Sequence, residues 1–466
     1  MPTNFDLKFH LSKLDTTQNQ FEIFTRLYYS YDTAFILESL SGPKELSEMS
    51  VIGFDPEIII SCTSRKFIVY NKKLNKKVVS KVTDPINQLK KFLPKIYNKK
   101  YRFIGGAVGY ISYEAIHFWE RLPKIKKNDF DFPIMEFGIY YDGILYDHLK
   151  KQANYFCVGK ESRLRTIHDI LNQNCLLPNS HHDINNNVSY TKPRRNISRS
   201  QFISKVKRAK KYIYDGDIFQ VVLSKKFEFE LYGNFLNIYD NLREINPSPY
   251  MYFLKMGKRS IIGSSPEMLV RITGNLVETF PIAGTRPVVE NEEENRKRSY
   301  DLLHDEKELA EHTMLVDLAR NDVGKICKFG SVKVQSLMKI KRFSHVQHIV
   351  SHVIGTLNHK KYDSFDVIKS VFPAGTVSGA PKVRAMEIIN ELEPNSRQTY
   401  AGALGYFSFN GCIDFAITIR SLFVSKHKGF VQSGAGIVMD SIPENEWNET
   451  EHKASVIFSA LDKKFD

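Results

Sequence analysis

The chain of 466 residues lacks the features that mark membrane, secreted and zinc-finger proteins. No apolar run approaches the roughly 18 residues that a membrane span requires. The N-terminus carries Asp6 and Lys8 where a signal peptide needs an apolar core. Five cysteines lie far apart with no CxxC pair, which argues against a disulfide framework and a structural zinc site. We therefore expect a cytoplasmic protein with reduced thiols.

The basic excess of the chain does not by itself indicate a nucleic-acid-binding protein. The formal net charge is +14, and residues 1–200 carry 30 Lys and Arg against 20 Asp and Glu. Many of these lysines lie in "NKKLNKKVVSK" and "LPKIYNKK", runs that are typical of solvated loops and strand faces. A nucleic-acid surface also needs interleaved aromatic residues or a recognisable module, and neither is present in the sequence. A basic, non-catalytic nucleic-acid binder remains the alternative of a different class, and it predicts salt-sensitive retention on a polyanion.

Three regions of different composition follow one another. Within residues 1–160, the stretch from residue 20 to about 155 is rich in β-branched and aromatic residues broken by Gly, Asp and Asn, which predicts strands. Residues 161–198 are polar, asparagine-rich and broken by proline, which predicts a linker. Residues 199–466 mix helix and strand patterns without strict βαβ alternation, and Ser200 is expected to cap the first helix. The sequence therefore predicts a mixed α/β (α+β) fold with large sheets packed together and helices outside.

Two helices each carry a pair of glutamates three residues apart. Glu308 and Glu311 share one face of the helix predicted over "LLHDEKELAEHTMLVDLARND", and Glu446 and Glu449 share a face of the closing helix. Surface positions would explain both pairs, since Glu449 can pair with Lys453 one turn later. Two pairs facing a common cavity would instead offer oxygen ligands suited to Mg²⁺. The pattern leaves both possibilities open.

Other residues could bind an anion or transfer a proton. Small residues before a helix start in "FPAGTVSGAPK" could present backbone N–H groups to an anion, although a tight turn explains them equally well. Arg420 stands alone among apolar neighbours and needs a carboxylate, either internal or bound. His348 is a candidate proton shuttle. Glu267 follows a strand-like segment and suits a general acid, although a surface glutamate in a turn is the commoner case.

Ten segments, in this order, are similar to those of the chorismate-utilising enzymes. They run from about residue 215 to residue 455 and include "GSSPEMLV", "PIAGTRP", "LAEHTMLVDLARND", "FPAGTVSGAPKVRAMEIINELEP", "DFAITIRSL" and "QSGAGIV". Ahead of them, "ILESLSGPKELSEMSVIGFDP" resembles the feedback segment of anthranilate synthase large subunits. The resemblance implies an anthranilate synthase-type fold, with large, mostly antiparallel sheets packed as a sandwich. It also implies a regulatory region over residues 1–160 and a catalytic domain over residues 199–466.

Two positions distinguish the branches of this family. Aminodeoxychorismate synthases typically carry a nucleophilic lysine where this chain has Ala283, and isochorismate and salicylate synthases carry a water-activating lysine where it has Gln220. Because neither side chain here can form an adduct or take up that proton, ammonia is the implied nucleophile. The chain thus resembles component I of anthranilate synthase. The alternative is component I of an aminodeoxychorismate or aminodeoxyisochorismate synthase, and Ala283 argues strongly only against the first.

The resemblance implies a role for each candidate residue. Glu311 and Glu449 would bind Mg²⁺, and Glu308 and Glu446 would accept hydrogen bonds from its water. Glu267 would protonate the departing 4-hydroxyl of chorismate. The other implied positions are His348 and Thr376 beside the reacting groups, and Gly284, Thr285, Tyr400, Arg420, Gly434, Ala435 and Gly436 on the carboxylates of the substrate.

The resemblance also implies partners. The chain has no G-x-C-x-G glutaminase elbow, so a separate glutamine amidotransferase subunit would supply ammonia. Tryptophan would bind as a feedback inhibitor at a seam between the two halves of the chain. The implied pocket residues are Ser39, Pro249, Tyr250 and Met251.

Overall fold

The structure, a computed structural model, describes residues 7–41, 49–127, 130–159, 162–172, 188–343 and 346–463. Its α-helices are α1 Gln20–Ser30, α2 Pro85–Lys90, α3 Leu164–Asn172, α4 Arg199–Tyr214, α5 Phe235–Ile245, α6 Glu292–Leu303, α7 Glu306–Gly324, α8 Ser364–Val371, α9 Gly375–Ser378, α10 Lys382–Leu392 and α11 Pro443–Asp462. Its strands are β1 Phe9–Lys13, β2 Thr33–Glu38, β3 Met49–Phe54, β4 Ile58–Cys62, β5 Lys66–Asn71, β6 Lys76–Lys81, β7 Gly106–Ile111, β8 Met135–Tyr140, β9 Asp142–Asp147, β10 Gln152–Val158, β11 Ser189–Tyr190, β12 Arg194–Arg195, β13 Gln220–Tyr232, β14 Tyr250–Met256, β15 Arg259–Ser265, β16 Met268–Thr273, β17 Leu276–Thr279, β18 Ile282–Pro287, β19 Lys333–Arg342, β20 Val346–Thr356, β21 Gly379–Ala380, β22 Ala403–Ser408, β23 Ile413–Ile417, β24 Ser421–Ser425 and β25 Lys428–Ile437. No described helix is long and apolar enough to cross a membrane.

The described strands form two large sheets whose pairings are all antiparallel. The 13-stranded sheet runs β1-β10-β9-β3-β2-β14-β15-β24-β25-β13-β11, with β12 and β21 also beside β13. The 12-stranded sheet runs β18-β20-β17-β16-β23-β22-β7-β8-β4-β5-β6, with β19 beside β20. The predicted fold class, with large antiparallel sheets and mixed α and β elements, is confirmed.

The main hydrophobic core lies between the two sheets. Phe35 of β2 and Tyr140 of β8 meet there edge to face, with ring centroids 4.8 Å apart. A second core lies between the 13-stranded sheet and the helices α1, α3, α5 and α11. Because each fully buried phenylalanine or leucine contributes roughly 1.5–3 kcal/mol, the two cores stabilise the stacking of the sheets and helices.

Both sheets combine strands from either side of the predicted linker. β2 pairs with β14 in one sheet, and β7 pairs with β22 in the other. Within the predicted linker, residues 164–172 form α3, and β11 and β12 pair with β13, while residues 173–187 lie outside the described ranges. The division at residues 160 and 198 stays a prediction.

The N-cap of helix α4 lies two residues before the expected one. Ser198, not Ser200, is the N-cap, and its hydroxyl accepts a hydrogen bond from the backbone N–H of Gln201. The Gln201 side chain in turn accepts from the Ser198 backbone N–H. Both residues are serines, and the reciprocal glutamine three residues later decides between them.

Candidate active site

Two neighbouring chain crossovers carry the predicted acid and the predicted guanidinium. The chain leaves β15 of the 13-stranded sheet and enters β16 of the 12-stranded sheet through Glu267, and it returns from β23 to β24 through Arg420. Hydrogen bonds join the crossovers, since the Ile417 N–H donates to the Glu267 carbonyl oxygen at 3.1 Å and the Ser264 N–H donates to that of Arg420 at 3.1 Å. Long-range pairing thus brings together two residues that are distant in the sequence.

The Glu267 carboxyl is suited to hold a proton near neutrality. Burial raises its pKa to about 7, while Thr376, Lys453 and Arg420 each counteract part of the rise. Glu267 and Thr376 also line a cavity of about 50 Å³ whose other walls are largely apolar, with Asp322 as the further acidic group. The environment therefore has the electrostatics expected of a general acid.

Arg420 offers a positive charge that has no direct ion-pair partner among the described residues. Its backbone has a φ of 49°, and its guanidinium forms no hydrogen bond or ion pair with any described residue. Burial lowers its pKa, and Tyr400, Glu449 and Glu267 partly offset this effect. Of the two interpretations left open by the sequence, an internal ion pair finds no support, so a bound carboxylate is favoured.

The end of β25 presents free backbone donors beside Tyr400. β24 pairs with β25 only as far as Val431, so one edge of β25 is open from Gln432 onward. The Gly434 carbonyl accepts a hydrogen bond from Lys453 Nζ at 3.1 Å, which places the Gly434 N–H on this open edge. By the alternation of the ladder, Gly436 also faces outward, whereas Ala435 faces its partner Leu223. Gly434 and Gly436 are therefore the candidate N–H donors.

Glycine is needed at position 434 because the space beside it is already filled. A Cβ on Gly434 would lie 2.8 Å from the Tyr400 hydroxyl oxygen, closer than Cβ atoms approach other atoms. The glycine therefore brings the strand and the phenol together at one wall of the site.

A bulge in β18 forms the wall that carries Gly284 and Thr285. Ala283 pairs with Ile349 and Arg286 with Gln347, so two residues of β18 lie opposite His348 alone. Gly284 has a φ of 65°, and its carbonyl oxygen lies 2.8 Å from His348 Nδ1. Because this bond fixes Nδ1 as the donor and burial lowers the histidine pKa, Nε2 is left as a lone-pair acceptor.

Four glutamates from α7 and α11 lie near one another. Burial and repulsion from Glu308, Glu446 and Glu449 raise the pKa of Glu311 to about 7, with Lys307 opposing the rise. Glu308 pairs with Arg286 at 3.3 Å, and Glu449 pairs with Lys453. The helices therefore bring both predicted pairs together, and the surface interpretation holds only for the Glu449–Lys453 contact.

This donor set fits a divalent cation that takes few protein ligands. The four carboxylates outnumber the contacting cations Arg286 and Lys453, and their mutual repulsion adds to the effect of burial in raising the pKa of Glu311. Within the described ranges, however, no three acidic, histidine or cysteine side chains converge into a ready-made metal cage. Mg²⁺ fits such a site because it keeps several waters and uses one or two carboxylates together with its substrate.

The two positions at which the resemblance separates branches of the family, Ala283 and Gln220, each lie beside a wall of the candidate site. Ala283 precedes the β18 bulge, and Gln220 begins β13. The Gln220 side chain is buried, and its Oε1 has no hydrogen-bond partner among the described residues. A Cβ on Gly436 would lie 2.7 Å from Gln220 Nε2, so this carboxamide contacts the open edge of β25. Neither position supplies an amine.

A separate cavity of about 150 Å³ is lined by all four predicted tryptophan-pocket residues, Ser39, Pro249, Tyr250 and Met251. It lies between the two sheets, with β2 and β14 on one side and β16 and β23 on the other. Asp414 connects three strands that line the cavity. It accepts hydrogen bonds from the Tyr250 hydroxyl of β14 at 2.9 Å and from Arg271 Nε of β16 at 2.9 Å.

Sequence reasoning assigned no role in the site to two charged residues, Arg286 and Lys453, beyond a surface pair for Lys453. Arg286 contacts Glu308 and Asp305, the N-cap of α7. Lys453 connects Glu449 to the Gly434 carbonyl. The i,i+4 spacing of Lys453 was a visible signal, whereas the contact of Arg286 with α7 depends on tertiary packing.

A buried acid held near neutrality, beside a free guanidinium and open backbone donors, defines an enzyme that acts on a small carboxylated substrate. Residues 32–459 match the chorismate binding enzyme family, and the chain belongs to that family.

Similar proteins cover almost the whole chain. Anthranilate synthase component 1 of Methanothermobacter marburgensis is 47% identical over 442 residues, which are 95% of this chain and 92% of that protein. The crystal structure of anthranilate synthase component I from Streptococcus pneumoniae has a TM-score of 0.77 and 34% identity, and the match covers 90% of this chain and 93% of that one. The menaquinone-specific isochorismate synthase of Escherichia coli, at 18% identity and a TM-score of 0.73 over 98% of this chain and 95% of that one, shares the fold.

Proposed function

We propose that the protein is the large subunit of an anthranilate synthase, which converts chorismate and ammonia into anthranilate, pyruvate and water. The observation that carries this proposal is the meeting of Glu267 and Arg420 at paired crossovers, where positions 220 and 283 supply no amine. A site with an acid and a carboxylate-binding guanidinium but no lysine at these two positions suits an incoming nucleophile that brings its own lone pair.

The residues divide the work of binding and proton transfer. Arg420 and Tyr400 hold the enolpyruvyl carboxylate, and the Gly434 and Gly436 N–H groups and the Gly284–Thr285 turn hold the rest of the substrate. The nitrogen lone pair bonds to C2 while Glu267 donates its proton to the 4-hydroxyl, which leaves as water. The added amine then loses a proton. In the second stage C2 loses its hydrogen, the C3–O bond breaks, and the leaving enolpyruvyl group gains a proton to become pyruvate, with His348 and Thr376 beside the reacting groups.

Glu311 and Glu449 would hold Mg²⁺, with Glu308 and Glu446 accepting hydrogen bonds from its water. The ion would neutralise the ring carboxylate and withdraw charge from the diene. Burial and then repulsion from the three neighbouring carboxylates raise the pKa of Glu311, and a cation would relieve the repulsion, which supports this assignment.

A glutamine amidotransferase subunit would supply ammonia in the cytoplasm, and tryptophan would inhibit from the 150 Å³ cavity. The four residues predicted from the sequence line this one cavity, which supports the assignment. Isothermal titration calorimetry with tryptophan tests it directly, and the absence of binding at millimolar ligand would contradict it.

Product analysis tests the main proposal. The purified chain with chorismate, Mg²⁺ and an ammonium salt should form fluorescent anthranilate and equimolar pyruvate. Formation of an aminated product that keeps the enolpyruvyl group would instead identify an aminodeoxychorismate or aminodeoxyisochorismate synthase. Omission of Mg²⁺ and of ammonium are the matched controls.

A further inference from the structure

Arg397 is a fully buried arginine just beyond the end of α10, and only 1% of it is exposed. Its Nε donates to Glu393 Oε2 at 2.8 Å, and its Nη2 donates to Glu393 Oε1 at 2.6 Å. Burying such an ion pair rarely stabilises a fold more than apolar side chains would. The remaining contacts of the guanidinium show what the pair does instead.

Arg397 and Glu393 fill a gap in the hydrogen-bond ladder of β13. On that edge, β21 pairs with β13 as far as Val221, and β12 pairs from Phe227 onward. Between them, the Val222 carbonyl accepts from Arg397 Nη2 at 2.7 Å, and the Ser224 N–H donates to Glu393 Oε1 at 2.8 Å. The ion pair thus replaces a missing strand.

The strand held in this way backs the open edge of β25. Val222 and Ser224 lie directly opposite Gly436 and Gly434. Their polar groups turn toward the ion pair and away from β25, which leaves the two glycine N–H groups directed to the substrate side. The first element that Arg397 anchors is therefore a substrate-binding one.

The same guanidinium reaches two further elements of the site. Nη1 donates to the Val377 carbonyl at 2.6 Å, one residue after Thr376. The guanidinium carbon lies 5.7 Å from the centre of the Tyr400 ring. The Thr376 Oγ1 is buried, and the Val377 carbonyl that Arg397 holds belongs to the next residue of the same short helix, α9.

We propose that Arg397 is a positioning residue that sets Thr376, Tyr400 and the open edge of β25 in the arrangement that the reaction requires. The inference rests on the proposed function. Glu393 has its own role here, since it holds the guanidinium in the plane from which the donors reach Val222 and Val377.

The pH dependence of the reaction distinguishes positioning from mere stability. The groups that face Glu267 are Thr376, Lys453 and Arg420, with Asp322 on the wall of the adjoining cavity. Thr376 lowers the pKa of Glu267, so a displaced Thr376 leaves that pKa higher. Because Glu267 must be protonated to act, the basic limb of the pH–kcat profile then moves to higher pH.

Arg397→Lys keeps the charge beside Glu393 but cannot reach Val222 and Val377 together. We expect kcat/KM to fall about 100-fold, as displacements of about 1 Å in an active site do. The basic limb should shift upward, as in Thr376→Val. In the Thr376→Val background, Arg397→Lys should cost less than it does alone, because the part of its effect that acts through Thr376 is already lost.

Arg259→Lys is the matched control, because Arg259 makes a similar two-bond pair with buried Glu136 away from the site. All variants are measured below their unfolding temperatures, and Glu393→Gln replaces Arg397→Lys if that variant does not fold, with the same upward shift expected. An unshifted basic limb, effects that multiply fully in the double variant, or an equal loss in Arg259→Lys would overturn the proposal. Absence of anthranilate formation by the unsubstituted protein would instead overturn the proposed function.

Discussion

Replacing Glu267 by glutamine tests two consequences of burying this carboxyl. The buried group can act as a general acid, and its ionisation lowers the free energy of unfolding. Burial raises the pKa from 4.5 to about 7. At pH 7 about half of the Glu267 carboxyls then carry a proton, against roughly one in 300 for the ordinary value. Glu267→Gln cannot donate this proton to the leaving hydroxyl, so we expect kcat to fall about 100- to 10,000-fold, measured by anthranilate fluorescence.

The same shift predicts a gain in stability for the inactive variant. Because the folded protein holds the proton up to about pH 7 while the unfolded chain loses it near pH 4.5, the free energy of unfolding falls as pH rises between these values. The fall amounts to about 3 kcal/mol, and Glu267→Gln does not undergo it. Denaturation by urea at pH 4.5 and pH 8 should show the variant gaining by about that amount over the unsubstituted protein.

Glu57→Gln, at an exposed position, is the control for loss of a carboxylate. A fall in kcat of less than tenfold in Glu267→Gln would refute the acid role. If the two proteins differ in unfolding free energy by the same amount at both pH values, burial does not raise the pKa of Glu267.

Other substitutions test separate parts of the site. Arg420→Met should lower kcat/KM for chorismate about 10- to 100-fold in steady-state assays, because a charged hydrogen bond to the substrate is lost. An unchanged value would instead support the interpretation of Arg420 as part of an internal ion pair. Gly434→Ala should raise KM roughly tenfold, since the new Cβ would lie 2.8 Å from the Tyr400 hydroxyl, and normal KM would show that the edge of β25 yields. Glu449→Gln should raise the Mg²⁺ concentration for half-maximal activity at least about tenfold, and an unchanged Mg²⁺ titration would remove it from the metal site. Tyr250→Phe should weaken tryptophan inhibition about fivefold without changing kcat, because the bond to Asp414 is lost, and calorimetry checks the affinity.

Local pattern predicted the elements, and family resemblance predicted which residues belong to the site. The three-residue spacing of Glu308 and Glu311 placed them on one helical face because helix geometry is local. The capping serine was predicted two positions late, since the deciding partner is the side chain of Gln201. Site roles and the division into regions stay predictions, although Ser39, Pro249, Tyr250 and Met251 do line one cavity.

The rest depended on pairings between distant segments. The adjacency of the Glu267 and Arg420 crossovers follows from the pairing of β15 with β24 and of β16 with β23, which no short pattern specifies. Arg397 was missed because its i,i+4 spacing from Glu393 resembles an ordinary surface pair, and only the gap in the β13 ladder explains its burial.

The two crossovers make the geometry of the candidate site depend on the separation between the two sheets. Glu267 and Arg420 are each attached to both layers, and the cavity beside Tyr250 opens between those layers on the same strands, β16 and β23. A ligand that wedged the layers apart there would pull on both turns at once. The distance between proton donor and carboxylate anchor would then change before any side chain in the site had been touched.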